Sequence, residues 1–192
     1  MTKILIINGH PDCAPERFAA ALCDAYAAGA TAAGHQVERI AVGTLPPTFL
    51  ARAADFAEPA TGPFADAQQA VAAADHLVVV YPLWLGTMPA RLKAFFELIA
   101  CGRFFIGETA PNRWPAQKMR GKSARIIVTM GMPGLAYRLL FGAHSLRAME
   151  AGIFRMAGFR PVRSSVFGSM GGSAERHTRY LAKAQEMGRR AA

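Results

Sequence analysis

The stretch "HLVVVYPLWLGTMPARLKAFFELIA", His76 to Ala100, decides the fold. It opens on an essentially continuous apolar run to Pro82, the pattern of a strand covered on both faces. From Pro89 to Ala100 apolar residues return at helical spacing: Leu92, Phe95, Phe96 and Ile99. Pro89 falls near the first helical turn, where a missing N–H removes no intrahelical bond. A buried strand running directly into an amphipathic helix is part of a β–α unit in a parallel sheet. The turn between them holds Trp84 and Gly86. A bulky indole in a short turn leaving a buried strand raises the question of what it faces.

The same alternation extends in both directions. Lys3 to Asn8 is a continuous apolar strand, and the alanine-rich Pro15 to Gly34 reads as a helix ended by glycine. Gln36 to Ala41 is a short alternating strand. Thr44 to Pro63 is a proline-rich loop, and Ala65 to Ala74 a helix. Downstream, Ser123 to Gly131 is a further buried strand, Leu135 to Ala157 is helical but broken around Gly142, Pro161 to Phe167 is the last strand, and Ala174 to Arg190 is a polar surface helix. Five strands alternating with helices predict an α/β three-layer sandwich with a parallel sheet, which suits the flavodoxin-like order 2-1-3-4-5, although periodicity alone does not fix strand order. Ligands then bind outside the carboxyl ends of the strands, at the switch between strands 1 and 3.

The chain has 192 residues, 52% hydrophobic and 18% charged, which predicts one globular domain over 1–192. No apolar run approaches the roughly 20 residues that span a bilayer, and the opening MTKILIINGHP reads as a first strand and not a signal peptide. A cytoplasmic protein without stable membrane insertion is expected. Cys13, Cys23 and Cys101 are scattered, with no spacing for a disulfide framework or a metal. The net charge is +9. Its densest run, Arg113 to Arg125, lacks the aromatic interleaving of a nucleic-acid surface and reads as a solvated basic loop.

Three loops converge at the expected switch: Asn8 to Arg17, Pro82 to Pro89, and Thr129 to Tyr137. They are rich in glycine and proline and poor in paired carboxylates. No GxGxxG, GxSxG or HExxH is present, and Ala116 stands where a phosphate loop ending in Gly121-Lys122-Ser123 needs its first glycine. A site without nucleophile, acid–base dyad or metal cage leaves the chemistry to a cofactor. The first loop enters a helix N-terminus and carries His10 and Arg17, which suit a phosphate. The second offers backbone amides beside Trp84 and Leu85 to the polar edge of a flat ring. The third offers Gly131, which permits close approach. Together these suit a flavin mononucleotide.

At "GHP" (Gly9 to Pro11), "YPLWLGTMPARLKAFFE" (Tyr81 to Glu97) and "TMGMPGLAYRLLFGAH" (Thr129 to His144) followed by "FRMAGF", the chain resembles the flavodoxin-like NAD(P)H:quinone oxidoreductases, the family of DT-diaphorase and the drug-modulator and YwrO-type reductases. The resemblance implies a homodimer with flavin at the subunit interface, FMN or alternatively FAD, reduced by NAD(P)H through hydride transfer. A quinone or other small aromatic acceptor then takes two electrons from the same site in ping-pong fashion. By position, His10, Arg17 and Phe18 would meet the phosphate end. Pro82, Leu83, Trp84, Leu85 and Gly86 would line the ring, with Thr129, Met130, Gly131 and Met132 at its other edge. Tyr137 and His144 match the family's catalytic tyrosine–histidine pair. Where the family often places a hydroxyl and an amide residue, this chain reads Pro15-Glu16-Arg17, and Arg17 is expected to supply the phosphate grip instead. Two alternatives remain open: a regulatory flavoprotein subunit of a membrane transporter, and a flavodoxin-type electron carrier, which +9 disfavours.

Overall fold

The computed structural model describes residues 1–107 and 115–192. Arg113, which opens the basic run, lies outside the described residues. Five strands form one sheet: β1 Lys3–Asn8, β2 Gln36–Ala41, β3 His76–Pro82, β4 Ser123–Thr129 and β5 Val162–Phe167. Their order is β2-β1-β3-β4-β5, and every pair is parallel. The helices are α1 Phe18–Ala32, α2 Pro63–Ala73, α3 Ala90–Ala100, α4 Gly134–Leu139, α5 His144–Ala148 and α6 Ala174–Arg189.

Side chains alternate across the pleat, so each central strand feeds two cores. Leu5, Ile7, Leu77, Val79, Tyr81, Ile126 and Val128 point to the face covered by α2, α3 and the chain after α5. Ile4, Ile6, Val78, Val80, Ile127 and Phe167 point to the face covered by α1 and α6. This double burial is why the strands read as unbroken apolar runs.

The expected helix from Leu135 to Ala157 breaks where glycine suggested it would. Gly142 and Ala143 adopt φ of +57° and +49°, which ends α4 and restarts the chain as α5. Beyond α5, Met149–Arg155 continues as a π-helix, a widened form the sequence pattern did not distinguish from α.

α6 is more than a polar surface helix. A Cβ on Gly188 would stand 2.0 Å from the Tyr26 carbonyl oxygen, and one on Gly29 would stand 1.9 Å from that of Gln185. The two helices cross backbone to backbone, and glycine is required on both sides. The basic run is likewise partly structural. Lys122 Nζ donates to the carbonyls of Ala72 and Ala74, capping the C-terminus of α2, and the buried Arg125 donates to Ser165 Oγ at 3.1 Å and to the Ala192 carbonyl at 2.7 Å. The expectation of a solvated basic loop therefore fails at these two residues, which satisfy backbone and buried hydroxyl acceptors.

Candidate functional site

The three expected loops meet at the carboxyl edge of the sheet. Gly9 N–H donates to the Val80 carbonyl at 2.8 Å, and Leu83 N–H to the Thr129 carbonyl at 2.7 Å, so each loop leaves its strand tied to its neighbour. The His10 ring meets Trp84 edge-to-face, with centroids 5.8 Å apart and planes at 81°. Pro82 and Leu83 are half-buried, Leu83 against the core.

The turn after β3 is a tight, self-closed hairpin. Trp84 N–H donates to the Thr87 carbonyl and Thr87 N–H to the Trp84 carbonyl, both at 2.9 Å. Leu85 and Gly86 at its tip have φ of +47° and +78°. Gly86 takes this conformation without strain. Leu85 does not, because a left-handed leucine brings Cβ against the following carbonyl. Leu85 is nonetheless fully exposed, so no packing pulls it there. Trp84 is 48% exposed, and the N–H groups of Leu85 and Gly86 have no partner among the described residues. A strained, solvent-facing turn with two free donors beside an indole has the features that suit a ligand.

Across from it, Thr129 and Met130 are buried, Met132 is half-buried and Gly131 is exposed. Nothing lies within 4 Å of where a Gly131 side chain would stand, so the backbone there is open to a flat ring. A fourth loop, Gly168 to Ser173 after β5, joins this edge, which the sequence reading missed. Ser169 N–H donates to the Met132 carbonyl at 2.9 Å and Met170 N–H to that of Met130 at 3.1 Å. A Cβ on Gly168 would stand 2.4 Å from Gly134 N. The glycine-rich run at the end of a strand was the available signal.

The first loop is internally wired. His10 N–H donates to Asn8 Oδ1 at 3.1 Å, and Asp12 N–H donates to His10 Nδ1 at 3.0 Å. Accepting at Nδ1 leaves a neutral His10 protonated at Nε2. Burial holds its pKa below the ordinary value, although the Asp12 backbone contact and carboxylate pull the other way. Phe18 opens α1, with its ring 4.7 Å from that of His177. The N-cap Arg17 makes no side-chain cap, no acidic residue occupies the first turn, and the N–H groups of Phe18 and Ala19 have no partner among the described residues. Those donors suit a phosphate. The guanidinium of Arg17, however, is already engaged: Nε and Nη2 both donate to Asp12 Oδ2, at 2.6 and 2.5 Å.

Tyr137 and His144 part company. Tyr137 is 1% exposed, and its hydroxyl accepts the Leu146 N–H at 3.3 Å. Burial raises its pKa. Ser145, also buried, lies between this residue and the Tyr81 hydroxyl, with the Tyr81–Ser145 oxygens 3.5 Å apart. His144 is exposed at the start of α5, its ring folded against Gly142. The two residues thus bracket the α4–α5 turn, one inside and one outside.

The site fits a flavin at its ring end, through the free turn donors and the open face at Gly131. It fits at its phosphate end through the uncapped α1 N-terminus. The chain belongs to the flavodoxin-like fold family, whose profile matches residues 2–191. Among solved structures it is similar to Smu.1420 from Streptococcus mutans UA159, at 24% identity and a TM-score of 0.83, over 98% of this chain and 99% of that one. An NAD(P)H:quinone oxidoreductase from Methanothermobacter marburgensis is similar at 20% identity and a TM-score of 0.79, over 98% of each chain. An FMN-dependent NADH-azoreductase from Bacillus anthracis str. Ames Ancestor, solved in complex with FMN, is similar at 16% identity and a TM-score of 0.79, over 99% of each. At these identities the likeness is one of fold. No curated protein matches the sequence.

Proposed function

We propose that this chain is a flavin-dependent NAD(P)H oxidoreductase that passes two electrons to a quinone-like acceptor in ping-pong fashion. The observation that carries this reading is the Trp84–Thr87 turn, which holds two unpartnered N–H groups and a half-exposed indole at the switch between β1 and β3. The likeness to an NAD(P)H:quinone oxidoreductase and to an FMN-dependent NADH-azoreductase supports it. Bound at this edge, the flavin supplies the hydride acceptor and donor that no side chain here provides.

The protein's part is to bind and orient. Leu85 and Gly86 N–H donate to the polar edge of the ring, and Trp84 with Leu83 and Pro82 forms its wall. Thr129, Met130, Gly131 and Met132 lie along the opposite edge. The α1 N-terminus, with Phe18 and neutral His10, receives the phosphate, while Arg17, expected from the sequence to grip it, is paired with Asp12 instead. FMN is the preferred form. His144, exposed at the α4–α5 turn, handles a proton at the acceptor. Tyr137 holds that turn in place through its bond from Leu146 N–H. The exposed Leu135, Leu139, Leu140 and Phe141 beside this turn support a homodimer that closes over the site, in a cytoplasmic protein. Among the described residues no helix is long and apolar enough to cross a membrane.

The test is a visible spectrum of protein loaded with FMN, followed by anaerobic NADPH or NADH and then benzoquinone. The expected result is a flavin band that bleaches with the nicotinamide and returns with the quinone. Failure to bind flavin overturns the cofactor. Binding without reduction overturns the enzyme and favours the regulatory reading.

A further inference from the structure

The Asp12 carboxylate gathers three donors at the mouth of α1. Oδ1 accepts the Ala14 N–H at 3.0 Å, and Oδ2 accepts both Nε and Nη2 of Arg17. A carboxylate holding a backbone amide and a guanidinium fork occupies donors that an incoming phosphate would use. The Ala14 and Arg17 contacts also hold its pKa below the usual carboxylate range. Asp12 is not free to swing away with its backbone. Its own N–H is tied to His10 Nδ1, His10 N–H is tied to Asn8, and Pro11 and Cys13 on either side press against Gly43, where any Cβ would stand 2.4 Å from the Cys13 sulfur. The ion pair itself sits in water, with Arg17 and Asp12 side chains 50% and 44% exposed. An exposed pair of this kind contributes little to stability, so its removal should leave the fold intact.

We infer that Asp12 is a built-in competitor for the phosphate end of the flavin, so that the site grips the ring far more than the tail and lets the flavin exchange. This rests on the flavin reading above and specifies how that site is tuned. The free N–H groups of Phe18 and Ala19 still attract an anion, but the carboxylate neutralises Arg17 and repels a phosphate arriving beside it. The expected behaviour is a small difference in affinity between FMN and riboflavin.

The experiment measures dissociation constants for FMN and riboflavin by quenching of flavin fluorescence, in wild type, Asp12→Asn, Arg17→Met and the double variant. Asparagine keeps the acceptor for Ala14 N–H and removes the charge. Asp12→Asn should tighten FMN about tenfold while leaving riboflavin within about twofold, and the gain should shrink in roughly 1 M salt. Arg17→Met should cost the wild type little, under about threefold, and should shrink the gain in the Asp12→Asn background to the part that comes from lifting the carboxylate's own repulsion, since only there is the guanidinium released. The inference is overturned if Asp12→Asn leaves FMN unchanged, weakens it, or moves FMN and riboflavin in parallel. If neither flavin binds any of the four proteins, the flavin reading fails and this inference falls with it. Thermal melting of each variant identifies any loss that is merely unfolding.

Discussion

The two edges of the sheet treat polar groups in opposite ways. At the amino edge, His76 is 1% exposed and bonded on both sides, by Tyr26 Oη to Nε2 at 3.1 Å and by Ser123 Oγ to Nδ1 at 2.7 Å. Arg125 beside it is paired with Ser165 and the Ala192 carbonyl, and α1 and α6 cross there at Gly29 and Gly188 with no room for a side chain. At the carboxyl edge, the donors of Leu85, Gly86, Phe18 and Ala19 have no partner among the described residues, a leucine is held left-handed, and the Asp12–Arg17 ion pair is wet. A buried unpaired polar group is costly, so the first edge pairs its buried His76 and Arg125 and carries stability. The second leaves donors in reach of solvent, where they are available to a ligand.

The sharpest way to break this contrast is to disturb the closed edge. Gly188→Val puts atoms within van der Waals contact of the Tyr26 backbone, and helix separation is the only relief. A loss of about 4 kcal/mol or more in urea unfolding is expected. Survival with a small loss would show that the crossing is looser than its geometry.

The next largest effect comes from pH. Burial first, then repulsion from Arg125, Arg163 and His35, lowers the His76 pKa from 6.5 to about 4. The unfolded chain therefore binds a proton that the folded one refuses. The stabilising contribution is complete above pH 6.5 and is lost as pH falls toward 4, amounting to about 3 kcal/mol. Unfolding free energies of wild type and His76→Gln between pH 7 and pH 4 isolate it. The variant should be less stable at pH 7 and show a shallower slope, and equal slopes would remove His76 from the account.

How much of this was legible in advance follows the same division. The boundaries of β1 and β3 could be read from local pattern because double burial writes an unbroken apolar run, and β2 showed as a short alternating one. The strand order 2-1-3-4-5 suited the β–α alternation without being fixed by it, and the sheet bears it out. The turn at Trp84 stood out because a bulky residue sits there without a core to fill. By contrast, the Gly29–Gly188 crossing depends on residues far apart in sequence, and neither glycine carries a local mark. The loop after β5 reaches the site only through bonds to Met130 and Met132. Asp12 was passed over because its partner, Arg17, lies five residues away across a turn that composition does not describe. The π-helix at Met149–Arg155 keeps an apolar spacing close enough to α to hide.

At the open edge, effects should appear in binding before stability. Trp84 is half-exposed and its turn is closed by backbone bonds alone, so Trp84→Ala should change unfolding free energy by no more than about 1 kcal/mol. The same change should weaken FMN and riboflavin alike, by roughly tenfold, because it removes a flat wall common to both. Fluorescence titration of both flavins decides it. A large stability loss with unchanged flavin affinity would make the indole core filling after all.

The smallest effect is the most diagnostic, because its sign differs from the others. Leu85 is left-handed and touches nothing that would compensate. Glycine relieves the steric cost of about 1–2 kcal/mol but adds entropy to the unfolded chain, so Leu85→Gly should stabilise by about 1 kcal/mol or slightly less. Backbone donors at 85 and 86 survive the change, so flavin should still bind, with any loss reporting only on the leucine side chain. A protein made more stable and bound less tightly by one substitution would show strain retained for a ligand. If stability falls instead, the leucine is held by a surface this single chain does not contain, which a homodimer closing over the turn would supply.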